Sequence, residues 1–228
     1  MIEPTPVMLV WLLAWGTLLG LDLVSLPQMM ISRPLVAGAV AGWILGDPAF
    51  GITTGLVLEL FALESLAIGA ARYPDYGAAA VGAVVAGAGY PWVQSLGVAV
   101  TIGLVLAGIG GLTLMWLRHA NSRAVRRRGA SLMVGDPVAV FALQFGGLGR
   151  DLTRSLILGV FAIIVGLTAR DWLPGPEPAA SMLSYVVIGG GLAGAVSGAL
   201  KTAGRGGRLR WLAIGGMAGV IALVVMWS

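Results

Sequence analysis

Residues 33–75 read RPLVAGAVAGWILGDPAFGITTGLVLELFALESLAIGAARYPD. The stretch is almost wholly apolar or small, yet it carries Asp47, Glu59, Glu64 and Asp75 and a Gly46-Asp47-Pro48 break. An uncompensated charge in hydrocarbon costs a few kcal/mol or more, so acidic groups in such a segment imply a use or a partner. Leu35–Leu45 is too short to cross a bilayer, which takes about 20 residues. Asp47 is a good N-cap and Pro48 suits a first helical position, so one helix ends and another begins there. Phe50–Ala70 is the expected return arm. Non-helical backbone at membrane depth is tolerated only beside protein or a water-filled cavity, and such broken helices mark transporter sites. Residues 34–75 are therefore expected to be a re-entrant, substrate-lining core.

The rest of the chain supports a membrane protein. Of 228 residues 58% are hydrophobic and 11% charged, against about 25% charged in a soluble domain. Mean hydropathy is +0.93. The expected fold is all-α and polytopic, one membrane domain over 1–228, with re-entrant broken hairpins. There is no Cys and one His, His119, which excludes cysteine-based redox, metal or phosphoryl-carrier chemistry. No P-loop motif is present. No catalytic residue, metal site or cofactor is expected. The isoelectric point near 10.1 comes from arginines in short segments between apolar runs. That pattern fits cytoplasmic flanks facing anionic lipid rather than nucleic acid.

Spans are expected at Val7–Val24, Val93–Leu117, Leu156–Leu173, Met182–Leu200 and Trp211–Trp227, with Ala78–Ala88 apolar and Gly89–Trp92 an interfacial turn. Residues 118–130 and 201–210 are the basic cytoplasmic loops, and Arg33 and Arg72 belong on the same side. Both termini then face outside. Ser131–Gly149 must return to the side it left, and Gly135-Asp136-Pro137 repeats the first break. The start lacks the basic residues of a cleaved signal and reads as a first membrane helix.

Four polar residues are candidate substrate contacts. Glu59 is the foremost, because a carboxylate accepts hydrogen bonds from adjacent hydroxyls, as in a sugar; a structural pair with Arg33 or Arg72 is its other reading. Glu64 lies five positions on, about 140° around a helix, so the two cannot share a narrow face. Gln28, in the Pro27–Pro34 break, could bond a ligand or backbone. Asp75 could serve the site or form a local turn pair with Arg72, and Asp22 is equally open. Gly38, Gly42 and Gly46, and Gly190, Gly194 and Gly198, form small-residue faces for close helix packing.

The segment resembles the enzyme IIC membrane subunit of the mannose–fructose–sorbose phosphotransferase family. The resemblance rests on Arg33-Pro34-Leu35, Gly42-Trp43-Ile44-Leu45-Gly46-Asp47, Gly51-Ile52, Gly55, Leu58-Glu59, Ala62-Leu63, Ile68-Gly69-Ala70-Ala71 and Pro74-Asp75. It implies a hexose permease of the inner membrane, paired with a IID membrane subunit and assembled as a homo-oligomer of that complex. Cytosolic IIA and IIB proteins would relay phosphate, and IIC itself would hold none. The segment departs from the family at Ala67, where relatives carry Asn, and at Glu64-Ser65, where they carry Gly-Trp. Glu64 is expected to replace the lost polar contact. Two rivals stand beside this reading: an ion-coupled carrier using Glu59 and Glu64, and a non-transporting scaffold docking a regulator on the basic loops.

Overall fold

The computed structural model describes residues 2–64, 73–171 and 178–202, together with Arg210 and Met217. The expectations for Ala67, Arg72, most of 201–210 and the last span fall outside these residues. Among the described residues helix is the only regular secondary structure. Its helices are α1 (Pro6–Val24), α2 (Pro34–Leu45), α3 (Pro48–Ala62), α4 (Tyr76–Gly87), α5 (Trp92–Arg127), α6 (Gly129–Met133), α7 (Pro137–Arg170) and α8 (Pro178–Thr202). Four of them, α1, α5, α7 and α8, are long and apolar enough to cross a membrane, while α2, α3 and α4 are shorter. The protein is a multi-pass helical membrane protein.

The break at Gly46-Asp47-Pro48 forms as its residue types dictate. Gly46 adopts φ +80°, which ends α2 in the left-handed region that suits glycine. The Asp47 carboxylate then caps α3, accepting from Phe50 N at 3.1 Å. The chain turns back on itself, and α2 and α3 pack as an antiparallel pair with almost no space between them. A Cβ on Gly38 would lie 2.6 Å from Gly51 O, and one on Gly42 would lie 2.7 Å from Gly51 Cα. Asp47 also accepts from Gly89 N at 3.0 Å, joining this tip to the turn between α4 and α5. Helix α4 runs through the middle of the bundle, with Ala78 to Ala86 buried on every side. Small side chains there let α1, α2, α5 and α7 close around it.

The second Gly-Asp-Pro does the same local work: Gly135 has φ +73° and Asp136 accepts from Val138 N at 2.9 Å. It does not open a second re-entrant pair. Residues 137–170 form one continuous helix of 34 residues, so the expected return of 131–149 and the separate span at 156–173 are both corrected. Gly146, Gly147 and Gly149 lower helix propensity by about 1 kcal/mol each, but no proline, the strongest helix breaker, follows Pro137 before Pro174. Likewise α5 does not stop at Leu117. It continues through 118–127 to Arg127, because that basic stretch contains no glycine or proline. The basic segment is a helical extension rather than a loop.

One end of the bundle carries Arg33, the loop 25–33, Asp75 and Arg118, whose guanidinium stands 5.0 Å over the Tyr73 ring. The opposite end carries the Gly46–Pro48 tip, Tyr90 and Arg170. There Arg170 donates to Val85 O, Ala88 O and Ile2 O. The glycine face of α8 packs within the chain, against the end of α3: a Cβ on Gly198 would lie 2.9 Å from Glu64 Cα.

Candidate functional site

The charged residues gather at the Arg33 end. Asp22, at the close of α1, is fully buried. The loop after it wraps back, so that Met29 N and Ser32 N donate to its carboxylate at 2.8 and 3.0 Å. Pro27 and Pro34 keep this loop from becoming helix, which leaves its amides free to satisfy the buried acid.

Beside it lies an ion triad. Arg154 on α7 donates from Nη1 to Asp75 Oδ2 at 2.9 Å and from Nε to Asp151 Oδ1 at 3.1 Å. Thr113 on α5 accepts from Arg154 at 3.1 Å, and Ser25 donates to Asp151 Oδ2. The two carboxylates are almost wholly buried and the guanidinium is 7% exposed. The triad thus ties together the α1–α2 loop, the start of α4, α5 and α7. Two of its atoms have no partner among the described residues: Asp75 Oδ1, an acceptor, and Arg154 Nη2, a donor. A hydroxyl group, which both donates and accepts, could satisfy such a pair.

The predicted site residues divide. Asp75 joins the triad instead of a surface turn. Glu59, on α3, forms an ion pair with Arg33 and accepts from Leu35 N at 3.3 Å. Its carboxylate therefore sits at the first turn of α2, where backbone amides favour negative charge. Arg33 is 45% exposed and Glu59 14%, so this pair stands at the rim of the same end. Gln28 lies exposed on the loop around Asp22. Glu64 does not join Glu59. It follows the end of α3 and rests against α8, where a Cβ on Gly194 would lie 3.6 Å from its Oε2. The 140° offset had already separated the two.

Asp151, Arg154, Ser25 and Thr113 escaped the sequence reading. The signal was there: Asp151 and Arg154 are three apart inside an apolar run, and intramembrane ionisable groups are functional candidates by default. Among the described residues no group of three His, Cys, Asp or Glu could hold a metal ion. His119 is exposed on α5, with Nδ1 2.7 Å from Met115 O.

Comparison with known proteins decides the family. The family model for the sorbose-specific IIC component of the phosphotransferase system (EII-Sor) matches residues 5–192. The chain belongs to that family. Among IIC relatives, the sorbose-specific EIIC component of Lacticaseibacillus casei is 29% identical over 195 residues, covering 82% of this chain and 64% of that protein. The sorbose-specific EIIC component of Klebsiella pneumoniae is 32% identical over 144 residues, covering 60% and 52%. The mannose-specific EIIC component of Escherichia coli K12 is 30% identical over 144 residues, covering 63% and 52%. The chain thus spans between about half and two-thirds of these relatives' lengths. Two solved structures share its fold. One is titled only as a membrane protein, with TM-score 0.71, 21% identity and 99% and 97% of the two chains covered. The other is a chain of the mannose transporter ManYZ complex with microcin E492, with TM-score 0.61, 23% identity and the same coverage.

Proposed function

We propose that this IIC chain is the sugar permease subunit of a phosphoenolpyruvate-dependent phosphotransferase system in the inner membrane. It carries a hexose inward past the 34–75 core while a partner IIB phosphorylates it. The observation behind this is the broken α2–α3 hairpin with Glu59 at its base, in a chain whose named relatives are sorbose, mannose and fructose IIC components. The Glu59 carboxylate accepts from adjacent sugar hydroxyls in place of the Arg33 guanidinium that donates to it here. When the core moves, the buried Asp75 and Arg154 open as a second donor–acceptor pair; Gln28 lines the approach, and Glu64 stands apart on the α8 side. A IID membrane subunit completes the translocating unit, several units assemble together, and IIA and IIB deliver phosphate from the cytosol. Movement of the 34–75 core against α5 and α7, as an elevator or a gate, alternates access.

The test is uptake into proteoliposomes holding the chain with its IID-like subunit, with and without IIB and its phosphate source. Labelled sorbose or mannose is expected inside as the phosphate, and only when the relay is complete. The buried ion triad, whose Asp75 Oδ1 has no partner among the described residues, favours a second reading, an ion-coupled carrier. That carrier would accumulate unphosphorylated sugar without the relay, and such a result would displace the phosphotransferase account.

A further inference from the structure

A cleft of about 350 Å³ opens at the basic end, between the root of the α1–α2 loop and the hairpin that α5 and α7 form beyond the core. Its polar lining is Ser25, Asn121, Gln144 and Arg150. Arg150 is held by one side only: Nε donates to Asn121 Oδ1 at 2.7 Å. Its other two nitrogens turn back over the preceding turn, where a Cβ on Gly146 would lie 3.4 Å from Nη1. Among the described residues no acceptor meets Nη1 or Nη2. Arginine presents those nitrogens as a fork that fits two oxygens of one phosphate.

The charge carried by α5, which supplies one wall of the cleft, favours the same ligand. Between Asp75 and Asp136 the sequence has no acidic residue, while Arg118, Arg123, Arg126, Arg127 and Arg128 all fall on α5 and its end. The neighbouring carboxylate, Asp151, is spent inward on Ser25 and Arg154. Depth fits as well. Arg150 stands about 20 residues before Arg170, roughly 30 Å along α7 at 1.5 Å per residue, which is the thickness of the hydrocarbon core. Val125 and Phe145 supply an apolar wall beside the polar group.

We infer that this cleft is a phosphate-binding site, taking a phosphate monoester or diester on Arg150 with the Asn121 and Gln144 amides beside it. The same chemistry can arrive as a sugar phosphate from the cytosol or as an anionic lipid headgroup at the membrane surface. The site is independent of the hexose site proposed above.

The test is thermal unfolding of the full chain in a neutral detergent. The probes are inorganic phosphate, a hexose 6-phosphate, and phosphatidylglycerol against phosphatidylcholine. Gly147→Glu is the main variant: Gly147 lines the cleft and has open space at its Cβ position, so the substitution fits and places a negative charge in the site. The wild type is expected to unfold at a higher temperature with at least one anionic probe. Gly147→Glu and Arg150→Gln lose that shift, with apparent affinity down about tenfold or more. Arg150→Lys keeps part of it, and Arg123→Gln, outside the cleft lining, keeps all of it. Stabilisation by hexose phosphate alone names a soluble ligand; stabilisation by phosphatidylglycerol alone names a lipid. The inference is overturned if no anionic probe stabilises the wild type, if phosphatidylcholine does as well as phosphatidylglycerol while soluble phosphates are silent, or if the shift survives in Gly147→Glu.

Discussion

Replacing Arg154 by Gln removes the cation that, among the described residues, pairs with both Asp75 and Asp151. Asp75 is fully buried, Asp151 nearly so, and Arg154 is 7% exposed, so water cannot take over the lost pairing. Breaking a buried pair by removing one partner costs about 3–5 kcal/mol, because the remaining charge stays in low dielectric. For a chain of this size each kcal/mol lowers the unfolding midpoint by roughly 2–4 °C. Arg154→Gln is therefore expected to unfold about 6–20 °C below the wild type, read by tryptophan fluorescence during heating in detergent. The triple variant Arg154→Met, Asp75→Asn, Asp151→Asn removes every charge of the triad together. Since neutral replacement of a whole buried set is often tolerated, it is expected to recover more than half of the loss. A drop of less than about 2 °C in Arg154→Gln would refute the claim that the triad ties these helices together.

Gly51→Ala places a Cβ against the backbone of Gly38 and Gly42, and backbone cannot rotate away. A loss of about 1–3 kcal/mol is expected in thermal unfolding, whereas Gly108→Ala, with open space around it, is expected to be neutral or stabilising by up to ~1 kcal/mol. Asp47→Ala loses a helix cap and the bond to Gly89; Asp136→Ala loses only a cap. The first is expected to cost about twice the second, near 2 against 1 kcal/mol, and equal midpoint shifts would contradict the joining role of Asp47.

The α2–α3 hairpin was legible because glycine, aspartate and proline each act locally: a left-handed stop, a cap and a first-turn residue need no tertiary information. Those same rules placed the second Gly-Asp-Pro correctly but could not say what followed it. Whether 131–149 turns back or runs on depends on how α7 packs against α5, and counting spans between two basic segments assumed to be loops on one side gave the wrong answer. The extension of α5 was hidden for a related reason. A basic run marks a membrane side, but it does not end a helix. At the site, Glu59 with Arg33 could be anticipated from their nearness across the hairpin. The Asp75–Arg154 bond joins residues 79 apart, and no period in the sequence brings them together. The packing of Gly194 and Gly198 onto α3 was likewise predicted as close contact but not assigned to a partner helix.

The most direct measurement is calorimetric titration of sorbose, mannose and fructose into the purified chain with its IID-like subunit, as wild type and as Glu59→Gln. The account predicts that the wild type binds at least one hexose. It predicts that the variant, still folded by its unfolding curve, binds none. Equal binding by Glu59→Gln would move the sugar away from the base of the hairpin, and no hexose binding by a folded wild-type complex would contradict the permease reading itself.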